Sequence, residues 1–491
     1  MNRRAVLAAV AGASSAAVYF GLQRTGDKNF VREEIDVPMV ACATADDRNE
    51  LKFAESYESK LNFAKVKARD LLLRVKDEVG APGVVVGVSV DGKVVWREGF
   101  GFANVETRTR CHEETVMRIA SISKSMTMAM VGKLWQDGKL DLDKPVQEYV
   151  PKFPMKTFDE KEVEITTRMI LSHIGGIRHY VKKGEKAESE LSEPNSKKGK
   201  EKEKAEKSTR EKEVYNKEKY DSIEKALTMF QNDELMFQPG TDYLYTTHGW
   251  TLVSAVVEGA GKEEFTKQAK KFFSQLGLHY TKLDESEPII YNRANYYLTK
   301  KNGRLANVPF SDNSYKWAGG GFVSTVGDLL KFGNAMLYSY QWKPKMTLVD
   351  GKLVTQYVSE QPIHPIKDLP PGFLKPETVW EMWTVVPQTK GKSHSLRYRE
   401  NGYGLGWQVI PYVAEFGTTG GGDVQSFHAF HTGAAVGASS ALLIKPAEDK
   451  SDSQQPPPKG ICVAILMNMQ NVGLAAVADD IAQIFQRTFC D

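Results

Sequence analysis

Strand signals stand at both ends of this 491-residue chain, with mostly helical patterns between them. Near the start, Val84–Val90 and Val94-Val95-Trp96 flank Asp91-Gly92, a dipeptide suited to turning a hairpin. A strand-like piece over 99–105 follows. Comparable patterns return only at Gly404–Ile410, Val436–Ile444 and Ile461–Asn468. That layout calls for one sheet built from both ends of the chain, carrying the segments between as a long insertion. It predicts an α+β fold (an α/β sandwich): an antiparallel sheet flanked by helices, with an inserted, mainly helical subdomain over 221–340. Amphipathic helices are expected over 50–78 and over Gly473–Phe489.

The chain divides into a segment at 1–28, a linker at 29–58 and a main domain at 59–491. The first segment has Arg3 and Arg4 ahead of an apolar, small-residue run from Ala5 to Leu22, with no acidic residue before Asp27. It fits a mitochondrial targeting or anchor segment. A secretory or twin-arginine signal also fits the pattern, and the run is near the minimum length of a membrane span. Residues 182–220 carry mixed charge and almost no apolar residues, so a charged, disordered insertion is expected there.

Composition excludes several classes. The formal net charge is only +3, which favours neither nucleic acid nor an acidic partner. The four cysteines, Cys42, Cys111, Cys462 and Cys490, are widely spaced and form no zinc or disulfide pattern. The nine histidines include no zincin motif. The glycine runs at 319–321 and 419–422 lack the lysine of a phosphate loop. No metal or other cofactor is expected.

The chemistry centres on Ser121-Ile122-Ser123-Lys124, followed by Met126, Met130, Leu134 and Trp135 at helical spacing. Residues three apart share a helix face, so hydroxyl and amine come side by side. Serine needs a base to take its proton, and lysine serves only if its pKa is lowered. A serine in the first helical turn also has free N–H groups and the positive dipole end beside it. A second copy, Ser222–Lys225, is flanked by Lys219 and Asp221 and reads as a solvated helix face.

Two later stretches complete a candidate site. Tyr245, in a loop after Pro239-Gly240 and followed by Thr246-Thr247, is the candidate second base or acid. Beside a lysine its phenol is expected to ionise more easily. His431-Thr432-Gly433 opens Ala434-Ala435-Val436-Gly437 on a strand, where a glycine lets a substrate backbone approach closely. The N–H groups of Ser121 and Ala434 are the candidate oxyanion donors, with His431 and Thr432 lining the pocket.

In this order, Ser-x-x-Lys, Tyr-x-x and His-Thr-Gly, the motifs resemble those of the penicillin-recognising serine enzymes: class C β-lactamases, D-aminopeptidases and related esterases. Leu171–Ile177, Gly319–Asp328 and Tyr403–Trp407 are similar too. The charged insertion, the N-terminal segment and the wording of the first motif narrow the resemblance to an animal mitochondrial member of the family. That resemblance implies a β-lactamase/transpeptidase-like fold, peptidase-like activity on a peptide or other amide or ester, and residence in the intermembrane space. It also implies homo-oligomerisation into filaments, inner-membrane association through the N-terminus and an influence on lipid metabolism. The chain departs from the family at two positions. Thr247 stands where asparagine is usual, and His431 where true β-lactamases carry lysine. Both departures argue against efficient β-lactam hydrolysis. A weakly catalytic filament scaffold and a periplasmic D-aminopeptidase or esterase are the alternatives.

Overall fold

The structure is a computed structural model that describes residues 45–180, 212–342, 345–349, 352–356, 373–392, 397–416, 423–447 and 458–489. The N-terminal segment 1–28 lies outside the described residues, as do Cys42 and Cys490. Among the described residues no helix is long and apolar enough to cross a membrane.

Asp91 and Gly92 both take positive φ, 49° and 76°, and join β1 (Gly83–Val90) to β2 (Lys93–Asn104). This is the backbone a two-residue hairpin needs. The two strand-like pieces 94–96 and 99–105 are thus parts of one strand. On its other edge β1 pairs with the last strand of the chain, Gly460–Met467, from Val84↔Met467 to Val90↔Ile461. The sheet has eight strands. With β3 (Thr109–Arg110), β4 (Gly402–Tyr403), β5 (Gln408–Ile410), β6 (His428–Ala435), β7 (Ala438–Pro446) and β8 (Gly460–Met467), its order is β4-β5-β6-β7-β8-β1-β2-β3, and every neighbouring pair is antiparallel. The expected strand at 404–410 is instead a hairpin. Gly406 has φ 72° and the Gly404 N–H bonds to the Trp407 carbonyl.

Alternation along the central strands sorts side chains onto two faces. Val84, Val86, Val88, Val463 and Ile465 meet Ala64, Ala68 and Leu72 of α1 (Ala45–Glu78) and Ile481, Ala482 and Phe485 of the C-terminal helix Ala475–Phe489. Val85, Leu442, Ala464 and Leu466 face the other way, toward Leu329, Leu330 and Phe332 of the helix Val326–Gln341 and toward α2 (Ile122–Gln136). Helix α1 begins at Ala45, inside the stretch expected to be a linker.

Helix α2 is buried on every face from Ile122 to Gly132, not along one stripe. Its polar side chains are therefore obliged to find partners. Ser123 Oγ accepts from the Phe322 N–H at 3.2 Å, and Ser125 Oγ donates to the Gly406 carbonyl at 2.8 Å. The helical subdomain packs around it through α3 (Thr167–Leu171), α4 (His248–Gly261) and α5 (Phe265–Gln275).

The expected charged insertion falls mostly at 181–211, outside the described residues. Its last part, 212–220, is folded onto the body. Glu213 pairs with buried Arg178 at 2.9 Å and lies 3.1 Å from His248 Nε2. Arg178 also reaches Asp233 at 2.6 Å. Buried Arg178 thus ties this charged stretch to the body through Glu213.

Candidate active site

The strand Met117–Arg118 leads into the nucleophile turn. Ile119 bonds through its N–H to the Phe322 carbonyl at 3.1 Å, fixing the turn to the glycine segment 319–321. Ala120 has φ 47°, a left-handed conformation that costs a non-glycine residue about 1–3 kcal/mol. Ser121 then occupies the N-cap position of α2, just ahead of its first turn. The N–H groups of Ile122, Ser123 and Lys124 bond back to the carbonyls of Ile119, Ala120 and Ser121. Among the described residues the Ser121 N–H makes no backbone bond, so it is a candidate donor to an oxyanion.

Lys124 is completely buried. Its Nζ donates to the Gly319 carbonyl at 2.6 Å and lies 3.1 Å from Ser121 Oγ. Burial, helped by the charge of Lys316, holds its pKa well below the ordinary lysine value. A neutral amine has a lone pair to offer, and with one hydrogen on Gly319 that lone pair can take the serine proton.

Tyr245 brings its ring centroid within 4.8 Å of the same Nζ, and its hydroxyl is in hydrogen-bond reach of Ser121. The expectation that this phenol ionises easily fails. Burial pushes its pKa far above the ordinary tyrosine value, although the bond to Ser121 opposes the shift. Tyr245 stays protonated and is a donor in the resting site.

Tyr245 is held by His173, a residue that spacing alone did not single out for the site. His173 adopts φ 63°; its carbonyl accepts the Leu244 N–H at 3.0 Å and its Nδ1 accepts the Thr246 N–H at 3.1 Å. The Thr247 N–H donates to His179 Nδ1 at 3.1 Å, and its hydroxyl is in hydrogen-bond reach of the Tyr180 phenol. Thr247 is thus already engaged within the protein.

The third motif lies on β6. Strand β5 stops where Gln408 faces Phe430, and among the described residues no strand pairs with β6 from His431 to Ala435 on that side. Ala434 is exposed there and Thr432 half-buried. Gly433 has a different role from the one expected. A Cβ on it would lie 2.3 Å from the Ile119 carbonyl oxygen, 2.2 Å from Ser440 Oγ and 2.9 Å from Ala120 Cβ. The missing side chain admits the protein's own nucleophile turn, not a substrate backbone. This contact packs β6 against the turn that precedes Ser121.

His431 is buried and fully engaged. Its Nδ1–H donates to the Thr432 carbonyl at 2.7 Å, and its Nε2 accepts from the Tyr403 hydroxyl at 2.9 Å. Burial, with Lys124 nearby, lowers its pKa to about 3. His428, lower on the same strand, is lowered by burial to about 4. An unfolded histidine takes its proton near its ordinary value, while these two stay neutral in the fold. Stability is therefore complete above about pH 6.5 and falls as pH drops below it. Each histidine contributes a slope of about 1.4 kcal/mol per pH unit. Urea midpoints measured from neutral pH down to about pH 4.5 should fall steeply, and His428→Gln should flatten the slope by about one proton. An unchanged slope contradicts the assignment.

The remaining sequence candidates separate cleanly. The second Ser-x-x-Lys is a helix cap: Ser222 Oγ accepts the Lys225 N–H at 3.2 Å, and Lys225 is exposed. Ser311-Asp312-Asn313 is a turn, with Asp312 Oδ1 accepting the Ser314 N–H at 2.9 Å. Among the described residues, no group of three His, Cys, Asp or Glu is placed to hold a metal. Cys111 and Cys462 are buried thiols pushed up to about 12. The Gly319 carbonyl, His173 and Tyr403 carry much of the geometry. No spacing rule points to them; only the resemblance had drawn attention to their segments.

An eight-stranded antiparallel sheet between helices is the fold of the penicillin-recognising serine hydrolases. The chain belongs to the Beta-lactamase family, whose model matches residues 68–486. It is 45% identical over 467 residues to the mouse (Mus musculus) serine beta-lactamase-like protein LACTB, mitochondrial, covering 86% of this chain and 80% of that relative. Among solved structures it is similar to the octameric penicillin-binding protein homologue from Pyrococcus abyssi, with a TM-score of 0.58 at 20% identity over 84% of this chain and 75% of the other. It is also similar to a class C beta-lactamase from Rhodobacter sphaeroides, with a TM-score of 0.56 at 16% identity over 86% and 99% of the two chains. These two share the fold.

Proposed function

We propose that the protein is a peptidase-like serine hydrolase that passes through an acyl-enzyme on Ser121. One observation carries the reading: a completely buried Lys124, its pKa held well below the ordinary lysine value, lies 3.1 Å from the Ser121 hydroxyl. Lys124 takes the serine proton as Oγ attacks the carbonyl of an amide or ester. The Ser121 and Ala434 N–H groups stabilise the oxyanion; one such donor is worth about 2.7–4 kcal/mol of barrier. As the C–N bond breaks, Tyr245 gives its proton to the leaving nitrogen and recovers one from the Lys124 ammonium. Water then attacks the ester, its proton passing to Lys124, and the serine hydroxyl is restored. Thr432 and the open edge of β6 receive the acyl chain. Gly433 and His431 hold the edge in place, and Thr247 closes the wall beside Tyr245.

A neutral His431 with both nitrogens engaged offers no charge to a drug carboxylate. Slow acylation by β-lactams and poor turnover are expected. The direct test is intact-mass analysis after treatment with a fluorophosphonate. One adduct is expected on the native chain and none on Ser121→Ala. A folded native chain without the adduct overturns the reading. Peptide-library cleavage, with Ser121→Ala as the control, gives the preference.

Residence in the mitochondrial intermembrane space is part of the proposal. It is supported by the acid-free, arginine-bearing N-terminus and by the mitochondrial naming of the relatives. Assembly into filaments, inner-membrane association and a role in lipid metabolism are proposed on the resemblance. Protease protection of a tagged chain in isolated mitochondria tests the location. Electron microscopy of the purified protein tests the assembly.

A further inference from the structure

Arg118 stands three residues before Ser121, and the mechanism above gives it no part. Its side chain is 11% exposed. Nε donates to Asp284 Oδ2 at 2.6 Å, and a terminal nitrogen donates to the Val436 carbonyl at 2.8 Å. Val436 begins the two-residue turn between β6 and β7, two residues beyond Ala434. Resting on the serine-hydrolase reading, we propose that Arg118 is a positioning residue for the oxyanion hole. Its guanidinium locks the β6–β7 turn onto the strand that delivers Ser121, and so sets the Ala434 N–H in place relative to that serine.

The anchor is built into a second sheet. Met117–Arg118, Phe322–Ser324 and Lys282–Leu283 form three antiparallel strands, with Val323 of the middle strand facing Arg118 on one side and Lys282 on the other. Asp284 follows directly. Its N–H donates to the Gly321 carbonyl at 2.8 Å, and its Oδ2 also accepts from Asn313 Nδ2 at 2.6 Å. The ion pair therefore passes across the middle strand and closes beside the segment whose Gly319 carbonyl holds Lys124. Bonds to charged groups are about twice as strong as neutral ones. A planar guanidinium also sends its donors in fixed directions. With Asp284 holding one nitrogen, the direction of the other is set.

The turn is seated on the same platform. Gly437 has φ 78°, and a Cβ there would lie 2.4 Å from Tyr296 Cβ. Tyr296 packs against Arg118: its ring centroid is 4.4 Å from the guanidinium carbon, and its hydroxyl accepts the Arg118 N–H at 2.9 Å. The Gly437 N–H donates to Gln470 Oε1 at 3.0 Å. Ser440, opposite Gly433, ties the middle of the hairpin to the Ile119 carbonyl. Arg118 ties its tip. Among the described residues no strand pairs with the outer side of β6 beyond Phe430, so the stretch that bears Ala434 takes its place from these contacts.

Two variants separate positioning from stability. Arg118→Lys keeps a positive charge beside Asp284, but one ammonium cannot serve the carboxylate and the Val436 carbonyl in two fixed directions. Its melting temperature should stay close to native. Labelling of Ser121 by an uncharged fluorophosphonate, read by intact mass on the full chain, should fall about ten- to a hundredfold. The loss should lie in the inactivation rate and not in probe affinity, because the hole grips charge that develops during attack. The acid limb of the pH profile should not move, since Lys124 is untouched. Asp284→Asn keeps an oxygen for Nε and the bond to Val436, but strips the buried guanidinium of its counter-charge. It should lose more stability than Arg118→Lys and less labelling. A purely structural ion pair predicts that lysine rescues labelling and that rate follows melting temperature through both variants; that result overturns the proposal. Arg118→Gln repeats the test if lysine fails to fold. If no replacement folds, the residue serves stability and the proposal falls. Arg118→Lys labelling at the native rate sinks this proposal alone. Absence of labelling in the native chain at any pH sinks the hydrolase reading itself.

Discussion

Replacing Lys124 with methionine abolishes labelling of Ser121 while the protein remains folded. The side chain sits in a fully buried slot, which methionine fills with a similar length of chain, and the substitution loses chiefly the bond to Gly319. A lost main-chain partner of this kind costs about 1–3 kcal/mol of stability. The chemistry suffers far more. A positioned base contributes about 10²–10⁴ in rate, and here no other neutral base is bonded to Ser121. Lys124→Arg should be as inactive, because guanidinium keeps its proton and has no lone pair to offer. The native profile carries the same sign. Because the amine pKa is depressed, labelling should reach its maximum at a pH well below the ordinary lysine value and fail on the acid side. An ordinary lysine would instead give a tenfold gain per pH unit up to about pH 10. Rate profiles of the three proteins, beside thermal melts, decide the matter. A Lys124→Met chain that labels at the native rate removes Lys124 from the mechanism.

Gly433→Ala should cost about a hundredfold in labelling. The new Cβ would meet the Ile119 carbonyl oxygen at 2.3 Å and Ser440 Oγ at 2.2 Å. A serine hydroxyl can rotate away; a carbonyl in the turn just before the nucleophile cannot. Ile119, Ala120 and therefore Ser121 must move, and a displacement of about 1 Å at a reacting atom costs about 10²-fold. Overpacking of this kind costs about 1–3 kcal/mol of stability in addition. The diagnostic is the ratio of effects: activity falls much further than the melting temperature. Ser440→Ala, which loses the 2.7 Å bond to the Ile119 carbonyl, should show a weaker form of the same pattern. If Gly433→Ala labels normally, the close approach does not position Ser121.

What could be read in advance follows from what is local. Asp91-Gly92 between alternating valines dictates a hairpin in any surroundings. Ser121 and Lys124 face each other because a helix has a fixed pitch. Burial is not local, and each misreading traces to it. Tyr245 stands near a lysine, which on charge alone favours phenolate. Only the folded site reveals that both groups are dry and neutral. Gly433 resembles a landing place for a substrate, yet the backbone it accommodates arrives from residue 119. Residues 212–220 are as charged as those before them, but Arg178 waits in the body for Glu213. Lys316 follows a polar turn, and nothing in its neighbours announces a buried amine. The family resemblance found the right segments around 173, 319 and 403 without saying what each one touches.

Val84 near the start of the body faces Met467 near its end. The pairing of β1 with β8 therefore joins widely separated parts of the polypeptide, and such non-local pairings are slow to form. Strand β6, with Ala434, reaches β1 only through β7 and β8. A chain still being synthesised or threaded through a pore has the serine but not the edge that faces it. On the proposed mechanism the two oxyanion donors come together only when the final strand is in place, and a proteolytic fragment lacking that strand should not label at Ser121.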